Sequence, residues 1–149
     1  MSRKVIAFLF LFSLWFLGSI FFPFNEGFYS SITIPNIIPT QNIISLIWFV
    51  IYFFNTTSIF FLIKDYDLND DFYFIIILNY LFCELFPLFF FFFNSLILSM
   101  ICNIVIVVST IFLIIETKKI NKQLAYLFIP YLLWGFYFLI LSISIYLLN

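Results

Sequence analysis

Between Asp71 and Glu116 the chain carries one charged residue, Glu84. A stretch so poor in charge cannot present a wetted face, so its apolar side chains must meet either a large protein interior or lipid. The apolar runs along the chain reach ~20 residues, enough to cross a ~30 Å hydrocarbon layer as a helix. They are continuous and do not alternate with polar residues, which argues for helices and against a lipid-facing barrel. Composition agrees: 66% of residues are hydrophobic, 26% aromatic and 9% charged, with a mean hydropathy of +1.23. A soluble domain carries about 25% charged residues, so this chain could not cover its surface in water. The expected fold is an all-α polytopic membrane protein, a five-transmembrane-helix bundle formed by a single domain over residues 1–149.

The spans are predicted at about 5–22, 43–63, 72–93, 95–115 and 124–148. Pro23 stops the first. Only Asn94 and Ser95 separate the third from the fourth, so those two helices must be antiparallel neighbours. Arg3 and Lys4 before the first span resemble the start of a signal peptide. The apolar run that follows is longer than the usual stretch of about 7–15 residues and has no small-x-small cleavage site, so it reads as a retained helix.

Charge placement gives an expected orientation. With five spans, the N-terminus and the loops after spans two and four share one side, and Arg3, Lys4, Lys64, Lys118, Lys119 and Lys122 all fall there. The positive-inside rule places that side in the cytoplasm and the C-terminus outside. The expected location is therefore a membrane, as a multi-pass protein, most simply a bacterial cytoplasmic membrane.

Several chemistries find no residues to support them. The chain contains no His, which removes His-ligated metal and haem iron. Cys83 and Cys102 lie within spans without CxxC spacing and read as small buried hydrophobes. Neither a Ser-His-Asp set, a Gly-rich phosphate loop nor a basic patch for nucleic acid is present. "KDYDLNDD" (Lys64 to Asp71) has acidic residues at alternate positions like the start of an EF-hand. Its sixth position is Asp70 where Gly is needed and its twelfth is Ile76 where a bidentate Glu belongs, so it reads as a solvated loop. "ETKKINKQ" (Glu116 to Gln123) reads as a basic turn beside anionic headgroups. The Asn55-Thr56-Thr57 sequon is inside a span, out of reach of glycosylation. No metal site and no obligatory cofactor are expected.

The information lies in the polar stripes within the spans. On a helical wheel Asn79, Tyr80, Cys83, Glu84 and Pro87 share an arc of about 140°. Span two repeats the pattern with Ser45, Trp48, Tyr52, Asn55 and Thr56, span four with Ser99, Asn103 and Thr110, and span five with Tyr131, Trp134, Gly135, Phe138 and Ser142. Lipid offers small and polar residues neither hydrogen bonds nor close packing, so these stripes face other helices. Glu84 lies about 18 Å into its span at 1.5 Å per residue, too deep to reach the interface. With every basic residue in a loop or at the N-terminus, it is expected to face inward as an uncharged hydrogen-bonding group. The Trp and Tyr on spans two and five supply flat amphipathic walls. The loop Pro23 to Asn42, "PFNEGFYSSITIPNIIPTQN", is too long for a plain connector and reads as a lid. A lidded, aromatic-lined bundle suggests binding of a flat, mostly apolar molecule.

Four stretches in order carry a family resemblance: "FFPFNEGFY", "IPNIIPTQNIISLIWFVIY", "LNYLFCELF" and "IPYLLWGFYFLILSISIYLLN". Over nearly the whole chain they resemble the TspO/MBR family (translocator protein / tryptophan-rich sensory protein). The second is similar to a Pro-Ser-Trp-Thr-Pro-Pro loop entering a helix with a key Trp, here Trp48. The third places Asn79 at a third-helix Asn, and the fourth matches a Pro-Tyr-x-x-Trp motif with Pro130, Tyr131 and Trp134. The resemblance implies a five-helix bundle, commonly a homodimer, that binds porphyrins and in some members sterols. Trp48, Asn79 and Trp134 would line the pocket. With the stripe residues Tyr52, Glu84, Tyr131 and Phe138 they make the expected ligand site, and Phe28, Pro35 and Pro39 belong to the lid. The chain departs from the family at Phe28 and Ile37 in place of loop Trp, at Thr40 in place of the second Pro of Thr-Pro-Pro, and at Glu84 in place of Gln. With so few Trp, light-dependent porphyrin breakdown is not expected, and the chain reads as a sensor or carrier of porphyrin or tetrapyrrole and not as an enzyme. Two alternatives belong to other classes: a small transporter that carries a proton on Glu84, and a scaffold for other membrane proteins.

Overall fold

The structure, a computed structural model, describes residues 3–149. Its regular elements are helices α1 (Arg3–Leu14), α2 (Leu17–Phe21), α3 (Glu26–Ser31), α4 (Gln41–Asp65), α5 (Asp70–Pro87), α6 (Leu96–Ile120), α7 (Lys122–Tyr126) and α8 (Ile129–Leu148). Four of the resulting segments are long and apolar enough to cross a membrane: Gln41–Asp65, Asp70–Phe92, Leu96–Ile120 and Lys122–Leu148. The first expected span is the pair α1 and α2. The all-helical membrane fold read from the sequence is the one observed, with boundaries that shift by a few residues.

Side-chain caps fix several helix starts. Asn25, Asn69, Ser95 and Asn121 each accept from a backbone N–H in the first turn that follows, for α3, α5, α6 and α7 respectively. Such caps satisfy donors that a helix leaves without partners. Asn94 turns the chain between the third and fourth spans with φ 52°, a left-handed conformation that Asn tolerates better than most residues.

Helix α6 packs against both α5 and α8, while α1 rests on α4 and α2 on α5. Buried polar residues join these helices. The Asn79 amide donates to Ser109 Oγ at 2.8 Å, Thr110 Oγ1 at 2.9 Å and the Ile106 carbonyl at 3.2 Å. Asn103 donates to Ser142 Oγ between α6 and α8, and Ser58 Oγ donates to the Leu124 carbonyl at 3.0 Å between α4 and α7. A Cβ on Gly135 would come within 3.2 Å of Val107 Cγ2, so the absent side chain lets α8 approach α6 closely.

Three breaks interrupt the spans. The first separates α1 from α2 at Trp15–Phe16, where the sequence has neither Pro nor Gly, so the single span expected over 5–22 is corrected to two helices. In an unbroken helix the Gly18 N–H would bond the Leu14 carbonyl. Here the Leu14 carbonyl accepts from the Tyr80 hydroxyl at 3.0 Å, and the Gly18 N–H donates to the Glu84 carboxylate. Each of these backbone groups, left alone in hydrocarbon, would cost several kcal/mol. Tyr80 and Glu84 are one turn apart on the same face of α5, so one helix satisfies both ends of the missing bond.

The second break follows Pro87, which has no N–H to give and whose ring strains the turn before it. The chain continues as a π-helical turn, Leu88–Phe92, with the Phe93 N–H bonding the Leu88 carbonyl at 2.9 Å. The third is the offset at Leu127–Phe128 ahead of Pro130, which separates α7 from α8 within the fifth span.

Candidate functional site

Near the end of the bundle that carries the lid, the helices diverge around a cavity of about 320 Å³. That lies at the lower end of the range of small-molecule sites, about 300–1,000 Å³. Helix α4 contributes Ser45, Trp48 and Tyr52; α5 contributes Cys83, Phe86 and Pro87, and the π turn Phe90 and Phe91. Helices α6 and α8 supply Asn103, Ile106, Phe138, Leu141 and Ser142, and the break in the first span supplies Phe16. Phe24, Tyr29 and Ile38 close the top from the lid. The lining is therefore mostly aromatic and aliphatic, with a few hydrogen-bonding groups at separate points.

The aromatic walls are internally braced. Trp48 lies with its ring centre 5.3 Å from Tyr52 and 5.6 Å from Phe138. Tyr52 is stacked from behind by Trp15 at 5.2 Å with 16° between planes, and it meets Phe16 edge-on at 5.4 Å. Phe86 and Phe90 stack at 5.5 Å with 11° between planes, and Phe86 meets Phe138 edge-on at 6.4 Å. Edge-to-face and offset contacts of this kind hold rings in fixed orientations. The Tyr52 hydroxyl lies 3.8 Å from the Cys83 sulfur.

The lid is tied to the bundle by side chains. Asn25 caps α3 through its oxygen and donates through its nitrogen to the Phe91 carbonyl at 3.1 Å. Tyr137 donates to the Ile37 carbonyl at 2.6 Å. Asn149 accepts from the Thr33 N–H at 2.7 Å and donates to the Thr33 carbonyl at 3.0 Å. Tyr29 packs its ring 5.0 Å from Phe24, and its partial burial raises the pKa of its hydroxyl above the ordinary value. Its hydroxyl is a hydrogen-bonding group at the cavity mouth.

Of the residues singled out from the sequence, Trp48, Tyr52 and Phe138 line the cavity. Tyr131 is 1% exposed and packs edge-on behind Trp48 and Trp15. Trp134 meets Trp48 at 6.4 Å and stands on the far side of that wall, where it borders a second, apolar groove between α4 and α8 with Leu46, Pro130 and Leu133. Asn79 points into α6 and Glu84 into the break of the first span, so neither lines the cavity. In the lid, Phe28 packs edge-on against Phe90 at 5.4 Å. The Pro35 carbonyl accepts from the Ile38 N–H at 3.3 Å, a turn that sets Ile38 over the cavity. Pro39 precedes the N-cap of α4 and does not line the cavity.

Trp15, Phe16, Tyr29 and Phe90 are not among the residues that the sequence singles out, and Phe86, which the helical wheel places on the side of its span away from the polar stripe, lines the cavity. Cys83, Asn103 and Ser142 stood on the polar stripes, and that placement was the signal available for them. Nothing in the local sequence marks Trp15, because its inward position depends on the break.

The profile of the TspO/MBR family matches residues 5–148. The chain is 29% identical to the tryptophan-rich protein TspO of Bacillus cereus over 149 residues, covering 99% of this chain and 97% of that protein. It is 24% identical to the uncharacterized membrane protein YtaB of Bacillus subtilis, covering 96% of each chain. The bundle, the Trp48 wall and the lidded cavity thus occur in a chain that aligns with this family almost end to end: the chain belongs to the TspO/MBR family.

Proposed function

We infer that the protein is a membrane-embedded binding protein for a flat, mostly apolar ligand, with a porphyrin or related tetrapyrrole as the favoured class. The observation that carries the reading is the lidded cavity, whose lining brings together Trp48 and Tyr52 of α4, Phe86 of α5, Phe90 of the π turn and Phe138 of α8. A lining this rich in flat rings suits a planar ligand, which gains dispersion and offset stacking against them. Asn103, Ser142 and Tyr29 are placed to meet polar edges of such a ligand. Burial of an apolar macrocycle in this cavity would be driven mainly by the area it removes from competing lipid and water contacts, with the polar groups fixing orientation. The role is that of a sensor or carrier.

Titration of the purified protein in detergent with a porphyrin tests this. Saturable quenching of tryptophan emission is expected. Trp48→Ala should weaken binding by about 1–3 kcal/mol, the scale of one large aromatic contact. Affinity equal to the parent in Trp48→Ala would place the ligand elsewhere.

A further inference from the structure

We propose that Glu84 and Tyr80 act together as a clamp that shapes the cavity from outside it, by holding open the break in the first span. The two side chains take the Gly18 N–H and the Leu14 carbonyl, the two halves of one absent helical bond. Of the three residues between Leu14 and Gly18, Trp15 and Phe16 are thereby released from a regular helix, and Leu17 begins α2. Trp15 turns in to 5% exposure and stacks on Tyr52, while Phe16 enters the cavity wall. The close approach needs Gly18: a Cβ there would lie 2.7 Å from the Glu84 carbonyl oxygen and 2.9 Å from its carboxylate. Glu84 is thus a positioning residue whose effect reaches the ligand through Trp15 and Tyr52. Its carboxylate and a glutamine amide share the one feature the clamp uses, an oxygen that accepts from a backbone N–H.

If the clamp is removed, the Gly18 N–H and Leu14 carbonyl can recover their partners only from each other. The first span would then straighten, and Trp15 would rotate out of its stack on Tyr52. The effect on affinity rests on the ligand reading above; the effect on Trp15 does not.

The test uses the full chain with Trp48→Phe and Trp134→Phe, which leaves Trp15 as the only indole. Its emission maximum and its quenching by acrylamide are read in detergent without ligand. Glu84→Leu should shift the emission to the red and raise the quenching, Tyr80→Phe should do so to a smaller extent, and Glu84→Gln should match the parent. In the three-Trp protein, Glu84→Leu should weaken porphyrin binding roughly tenfold, about what a displaced aromatic contact is worth, and Glu84→Gln should restore it. Trp15 unchanged in Glu84→Leu, or as disturbed in Glu84→Gln as in Glu84→Leu, would overturn the proposal. If circular dichroism shows Glu84→Leu unfolded, Tyr80→Phe decides by the same readout, and an undisturbed Trp15 there overturns it. A parent that binds no porphyrin would refute the ligand reading while leaving the Trp15 result to stand or fall alone.

Discussion

Asn79 illustrates how a polar side chain is used inside this bundle. Its amide nitrogen lies within hydrogen-bonding distance of the Ser109 and Thr110 hydroxyls and the Ile106 carbonyl, all on α6. Asn79→Leu keeps a similar volume but abolishes the interhelical donor. Bonds of this kind between membrane helices are worth on the order of 1 kcal/mol, which corresponds to a loss of about 2–4 °C in unfolding temperature for a chain of this size. Thermal unfolding in detergent should show that loss, and an unchanged midpoint would mean that the contact adds nothing to stability. Spacing along α5 was sufficient to read Asn79 as inward-facing. Whether it faced the cavity or α6 was not legible, because both directions lie within the same arc of the wheel and only the packing of α5 on α6 separates them. Glu84 is a similar case: its depth and lack of a cationic partner were readable, but its acceptor role toward Gly18 depends on a residue 66 positions away.

At the scale of elements, the spans that form straight helices were readable from length and hydropathy, and the irregular ones were not. Gln41–Asp65 and Leu96–Ile120 follow the expected runs because nothing within them opposes a helix. The first span has no Pro, and its one Gly, Gly18, lies past the break; it parts at Trp15–Phe16 where α5 offers alternative partners for its backbone. Local propensity holds no record of such distant partners. The turn between the third and fourth spans is the opposite case, since two residues leave few geometries, and Asn94 adopts φ 52° there. Asn94→Gly should keep or raise the unfolding temperature. Asn94→Val should lower stability by on the order of 1–2 kcal/mol, the cost of placing a β-branched side chain in the left-handed region that Asn tolerates. Equal midpoints for the two variants would show that this turn can relax.

For the whole molecule, the two ends of the bundle have different characters. At one end Tyr66 accepts from the Asn121 side chain at 2.9 Å, joining the loops that lie near Lys64 and Lys118, Lys119 and Lys122. At the other, the lid meets Phe91, Tyr137 and Asn149. The basic end is expected to face the cytoplasm. Reporter fusions after residue 149 should report the outside and fusions within 116–123 the cytoplasm; the same side for both would contradict a five-span arrangement. The lidded cavity would then open toward the outer half of the membrane.

The space beneath this lid, and not the lipid-facing groove beside Trp134, is the proposed seat of the flat ligand. An experimental density map of the protein with bound porphyrin distinguishes the two positions. The macrocycle is expected among Trp48, Phe138 and the Phe86–Phe90 stack, with Tyr29 and Ile38 beside it. A macrocycle resting in the outer groove against Leu46, Leu133 and Trp134, with the cavity unchanged, would contradict it.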